Sequence, residues 1–221
     1  KALDEYNNRD FGYEGTVNFD STDPQVSPGD GLPTSYTFIT ANEGQKGFSI
    51  YLKTKGLQDI IVYAVGVDTG TKEDIQVSEG SFNKFILTLE GLSADDAVTK
   101  DRPLTVKVKA VDKYDNIVKN YTSTATFTSN CSPRTLPEEA SNNKYQFTSG
   151  DQGQHTWTDG VILSSATITG IYVRITDDDT GKKGEKLGIT VVSPPVSDIT
   201  SPTNNLHKNS LVKIEGTADV D

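Results

Sequence analysis

The chain has 221 residues and a formal net charge of −10, which disfavours nucleic acid and anionic membranes as partners, since both call for clustered Lys and Arg. Its hydrophobic fraction of 33% suits thin two-layer β units with one wet face per strand, while 9 Tyr and 8 Phe in regular strand patterns argue against disorder. The single Cys131 excludes an intrachain disulfide framework, and no apolar run approaches a membrane span, so membrane insertion of this segment is not expected.

In chain order, the first signal is a phrase that returns. Lys1-Ala2-Leu3-Asp4-Glu5-Tyr6-Asn7-Asn8 reappears as Lys109-Ala110-Val111-Asp112-Lys113-Tyr114-Asp115-Asn116. Tyr13, Thr16, Phe19 and Ser21 then fall on Tyr121, Thr124, Phe127 and Ser129. Tyr36-Thr37-Phe38 answers to Tyr145-Gln146-Phe147, Gly44-Gln45 to Gly153-Gln154, and Phe48 to Trp157. A period of roughly a hundred residues is a whole domain rather than a solenoid unit, so a tandem array is expected. The expected divisions are 1–79, 80–193 and 194–221.

The second copy is the fuller one. Phe82–Leu89 reads as a first strand, and Leu104–Val111 alternates apolar residues with Lys or Thr, as a half-buried strand does. Ser93–Val98 is expected to form one short helical turn. Asp112–Asn120 is a polar turn region with Tyr114 as its anchor, followed by strands at 124–128, 144–148, 154–163, 166–176 and 186–192. Seven short strands at these spacings predict an all-β sandwich. The first copy lacks the counterparts of the first strand and most of the second, because Lys1 answers to Lys109. Either the chain is a stretch of a longer array, or the first domain takes its missing strand from a neighbouring molecule. Pro194-Pro195 marks a linker, and Leu211–Ala218 reads as the first strand of a further module.

Ala110-Val111-Asp112-Lys113-Tyr114-Asp115-Asn116 with Tyr121-Thr122-Ser123-Thr124-Ala125-Thr126-Phe127 resembles the Ala-x-Asp-x-Tyr-x-Asn…Tyr-x-Gly-Thr-x-x-Phe pattern of bacterial immunoglobulin-like repeats in large extracellular proteins. Asp4, Tyr6, Asn8, Tyr13, Gly15, Thr16 and Phe19 match it in the first copy. Tyr145, Phe147, Gly153, His155 and Trp157 are similar to a later segment of the same family, with Trp157 in place of Phe and Ser123 in place of Gly. The resemblance implies tandem immunoglobulin-like β-sandwich domains. It also implies a non-catalytic spacer or structural role in an adhesin, a surface-layer protein or a fibre at the cell surface. Two other roles stay open: a binding module for a glycan or host protein, and an accessory region of a secreted polysaccharide-degrading enzyme. The implied partners are neighbouring domains of the array or copies of the chain itself.

No residue stands out as catalytic or cofactor-binding. His155 and His207 have no partner readable from the sequence, and Gly181-Lys182-Lys183-Gly184 lacks a phosphate-cradle pattern. Calcium is the one ion to weigh, against Asp112, Asp115 and Asn116, Asp177-Asp178-Asp179, and Asp95, Asp96 and Asp101. Turn-shaping side chains explain these better, because Asp4 and Asn8 recur while the Asp triad is answered only by Val67-Asp68. No metal site is therefore assigned. Tyr6, Tyr13, Tyr114 and Tyr121 are expected to pack a corner, with hydroxyls bonded to backbone. Cys131 is expected to be a small, partly buried residue. Asn120 and Asn130 head Asn-x-Ser/Thr sequons.

Overall fold

A computed structural model describes residues 1–165 and 167–194. Pro195 of the expected linker, His207 and the strand at Leu211–Ala218 lie outside the described residues. The chain is all-β, with three one-turn 3-10 helices among the described residues. Its first unit holds β1 (Thr16–Ser21), β2 (Ser27–Pro28), β3 (Gly31–Leu32), β4 (Tyr36–Thr37), β5 (Gly56–Ala64) and β6 (Val67–Val77). The second holds β7 (Lys84–Glu90), β8 (Ala97–Thr99), β9 (Pro103–Val111), β10 (Thr124–Ser129), β11 (Arg134–Thr135), β12 (Lys144–Gln146), β13 (Gln154–Leu163), β14 (Ile168–Asp177) and β15 (Lys183–Val192).

The second unit is a sandwich of two sheets, ordered β12-β10-β14-β15-β8 and β11-β13-β9-β7. Alternation explains the layers: Leu104, Val106, Val108 and Ala110 of β9 point inward and are buried, while Lys107 and Lys109 between them face water. Phe127 of β10 and Ile171, Val173 and Ile175 of β14 meet them from the other sheet, within one cluster of 22 buried residues. Each such side chain contributes about 1.5–3 kcal/mol by leaving water. Two strands go beyond the sequence reading. The stretch expected as a helical turn is instead a tight turn at Ala94-Asp95 leading into β8, whose Val98 is buried and whose backbone pairs in parallel with β15. The loop after β10 contains β11, which pairs with the end of β13.

The first unit has one main sheet, β4-β1-β5-β6, in the register of its counterpart: Val17 faces Tyr36 as Ala125 faces Tyr145, and Phe19 faces Val62 as Phe127 faces Ile175. No described strand plays the part of β7 or β9 there. Its buried cluster is accordingly four residues, Val17, Phe19, Leu32 and Phe38. This register also corrects the sequence alignment. Ala64, not Val67-Asp68, stands where Asp177 stands, since Val62 occupies the place of Ile175.

Candidate functional site

The repeated Asp-x-Tyr-x-Asn turn is built alike in both units. Asp4 Oδ1 accepts the N–H groups of Tyr6 at 2.9 Å and Asn8 at 2.8 Å, and Asn8 Nδ2 donates to Asp4 Oδ2 at 3.3 Å. Asp112 Oδ1 accepts from Tyr114 at 2.8 Å and Asn116 at 3.0 Å, and Asn116 Nδ2 donates to Asp112 Oδ2 at 2.9 Å. The motif is an Asx turn in which a short side chain replaces backbone partners. Burial works against the ionised form of Asp112. The Asn116 amide and the N–H groups of Gly80, Tyr114 and Asn116 outweigh that cost and hold its carboxyl below the ordinary value.

What differs is what the turns touch. In the second unit Asn116 reaches across to the first: its Oδ1 accepts the Lys55 N–H at 2.9 Å and its Nδ2 donates to the Lys53 carbonyl at 2.8 Å. Gln25 Nε2 donates to the Tyr114 carbonyl at 3.1 Å, and Lys53 Nζ lies 5.8 Å from the centre of the Tyr114 ring. Glu79, between the units, pairs with Lys55 Nζ at 2.7 Å and accepts the Lys119 N–H at 3.4 Å. Gly80 N–H closes the arrangement on Asp112 Oδ2 at 2.8 Å. The joint is therefore a set of backbone-directed hydrogen bonds seated on the repeated turn.

The remaining acidic groups weighed for calcium are engaged by the chain's own donors. Asp177 Oδ1 accepts Thr180 N–H and hydroxyl, and its Oδ2 accepts the Tyr121 hydroxyl. Asp178 meets Thr126 and Lys144, Asp179 meets Ser123, Asp115 pairs with Lys84, and Asp96 with Lys186. Among the described residues no group of three or more His, Cys, Asp or Glu is placed to hold a metal.

The four tyrosines do not share one role. Tyr121 is buried and its hydroxyl goes to the Asp177 carboxylate, not to backbone; burial and that carboxylate raise its pKa. Tyr13 packs edge-on against Phe38, whereas Tyr6 is 75% exposed and Tyr114 belongs to the joint. Cys131 is wholly buried rather than partly. Asn130 uses its amide to hold Gly170 and Tyr172, while Asn120 is exposed.

His155 has partners that the sequence did not disclose. Its Nδ1 lies 2.6 Å from Asp151 Oδ1 and 2.8 Å from the Tyr145 hydroxyl, and its ring lies against Tyr145 and Trp157. Asp151 also accepts the Thr148 N–H. Burial opposes its ionisation, but the Thr148 and His155 hydrogen bonds prevail and lower its pKa to about 2. The first unit builds the same corner without the carboxylate: Tyr36 donates to Asn42 Oδ1 at 3.0 Å and the Lys46 ammonium stands over the Tyr36 ring. Gly44 and Gly153 follow these corners at φ +67° and +75°, pressed against the Asp10 and Val118 carbonyls, where a Cβ would collide at 1.9 and 2.2 Å.

No family model matches the chain, and no curated protein sequence is significantly similar to it. Among solved structures it is similar to beta-glucuronidase 3 of Bacteroides uniformis, with 11% identity and a TM-score of 0.36 over 79% of this chain and 21% of that one. A glycosyl hydrolase family 2 member of Bacteroides cellulosilyticus gives 12% identity and 0.39 over 80% and 21%. The fibronectin(III)-like modules of Clostridium thermocellum CbhA give 10% and 0.25 over 87% and 83%. The chain thus spans about a fifth of the length of the glycosidases it resembles. At TM-scores of this size the likenesses assign no activity.

Proposed function

We propose that the chain is a non-catalytic spacer segment of a large extracellular cell-surface protein, whose partners are neighbouring domains of the same array or copies of itself. The observation that carries this reading is the joint. The motif repeated most faithfully, Asp112–Asn116, directs its polar groups at the backbone of the adjoining unit, through Asn116 to Lys53 and Lys55. A residue selected to grip main chain rather than a small molecule serves orientation and reach. The Asp151–His155 pair, the one His–carboxylate pair among the described residues, sits in a corner that the first unit reproduces with Asn42 and Lys46.

Solution X-ray scattering of the full chain and of Asn116→Ala tests the reading. The native chain is expected to fit one arrangement of the two units, and the variant to broaden the distribution of interunit distances. Identical profiles would remove the joint from the account. Specific retention on a glycan array would replace the spacer reading with a binding one.

A further inference from the structure

Asp23 is a buried carboxylate that the repeat does not call for. Counting on from the matched pair Phe19 and Phe127 puts Asp23 where Cys131 stands. The backbone frame around the two is the same: Asp23 N–H donates to the Ser21 hydroxyl at 3.1 Å, as Cys131 N–H does to Ser129 at 3.1 Å. The second unit therefore builds this corner around a small, weakly polar side chain. In the first unit the same place holds a carboxylate only 2% exposed, and a buried charge is costly unless it collects donors.

The donors it collects lie in the two stretches that meet the second unit. Asp23 Oδ1 accepts the Gln25 N–H at 2.9 Å, and Oδ2 accepts the N–H groups of Lys53 at 2.6 Å and Thr54 at 2.8 Å. Burial opposes its ionisation, but the Thr54 hydroxyl and the N–H groups of Thr54, Gln25 and Lys53 outweigh it and hold the carboxyl below the ordinary value. Gln58 of β5 fixes the same stretch from the other side, its Nε2 donating to the Thr54 carbonyl at 3.2 Å. These stretches carry the first unit's half of the joint: the Lys53 carbonyl and Lys55 N–H that bond Asn116, and the Gln25 amide that reaches Tyr114. Gln25 Nε2 also donates to Thr54 Oγ1 at 3.1 Å, which ties the two stretches together. Asp23 thus stands to its half of the joint as Asp112 stands to the other, where Tyr114 and Asn116 hang from one carboxylate.

We infer that Asp23 is a positioning residue for the joint: acting through residues 53–54 and Gln25, its carboxylate sets the first unit's groups at the spacing that Asn116 and Tyr114 receive. The inference deepens the spacer reading and rests on it, because a joint that does not orient the units leaves Asp23 nothing to position. Two carboxylate oxygens can accept all three N–H groups at once. An amide in their place offers one oxygen, and its NH2 group faces donors with a donor.

Asp23→Asn and Asp23→Cys, the latter kept reduced, are compared with the native chain and with Asn116→Ala by solution X-ray scattering and residue-resolved amide exchange. Both Asp23 variants are expected to broaden the interunit distances as Asn116→Ala does. Both should also speed exchange of the Lys55 N–H by roughly tenfold, with the β1–β5 ladder unchanged. Combining Asp23→Asn with Asn116→Ala should broaden the distances no further than Asn116→Ala alone, since both act on one set of bonds. Broadening by Asn116→Ala with native-like Asp23 variants would overturn the positioning role and leave the joint standing. No broadening by any variant would remove the joint and the inference with it. Loss of protection throughout the β1–β5 ladder, or a first unit that folds in neither variant, would overturn it too, because the carboxylate would then be holding the unit rather than the joint.

Discussion

Phe19 and Phe127 hold matching places, opposite Val62 and Ile175, and both are buried, yet they live in different surroundings. Phe127 belongs to a cluster of 22 buried residues drawn from two sheets, and Phe19 to a cluster of four beside a single sheet. The same turn residues, the same register and the same aromatic corner therefore do not suffice for the same core. Local chemistry sets where strands start, which way they face and how they pair. Whether the inward face is dry depends on a second layer, and among the described residues only the second unit has strands in the places of β7 and β9.

This difference can be broken or sharpened by matched substitutions, each made at the same place in both units. The largest effect is expected from Phe127→Ala, which should cost the second unit about 3–5 kcal/mol in a denaturant titration. Phe19→Ala should cost the first unit roughly 2 kcal/mol less, because a thinner, wetter surround collapses more easily around the gap. Equal losses would mean that the two cores are equally closed. Next come the turns. Asn116→Ala strands the Lys53 carbonyl and the Lys55 N–H, and should lower stability by about 1–3 kcal/mol. Asn8→Ala, on an exposed turn, should stay within about 0.5 kcal/mol. Tyr121→Phe removes the hydroxyl that Asp177 accepts and should cost about 1–2 kcal/mol, while Tyr13→Phe should be silent because Ala64 stands in the place of Asp177.

The smallest effect is one of pH. Asp151 is held at about 2 from an ordinary value of 3.8, so its contribution is fully present above about pH 4 and is lost as the pH falls towards 2. Asp151→Asn copies the uncharged Asn42 of the first unit. Thermal melts between pH 6 and 2 should show the second unit losing part of its acid sensitivity in this variant, with the first unit unchanged.

Much of this was legible in the sequence because it rests on local pattern. The alternation of Leu104, Val106, Val108 and Ala110 gave the buried face of β9, and the recurrence of Asp4 and Asn8 as Asp112 and Asn116 gave the turn. The all-β class and β13, at Gln154–Leu163, followed from the same reasoning. Other features depend on partners far along the chain, where spacing says nothing. Val98 pairs with Val191, and Asp151 meets both Tyr145 and His155 only once a 3-10 turn and a glycine have folded the chain back. Asn116 also looked like half of a turn and no more, because its second role is met by residues 53 and 55, across the joint. The misplacement of Asp177 arises before β5: the connection from Phe48 to Val62 is shorter than that from Trp157 to Ile175, so an alignment that does not shorten it slides past the true register.

The most direct measurement is residue-resolved amide exchange on the intact chain without additions. The account predicts slow exchange for Thr156 and Trp157 in the β13–β9 ladder and for Lys55, whose N–H is held by Asn116. It predicts exchange at residues 46–50, which lie outside every described ladder, faster by at least tenfold, within one to two orders of an unstructured peptide. Residues 46–50 as protected as Thr156 and Trp157, at any protein dilution, would contradict the claim that one unit is closed and the other open.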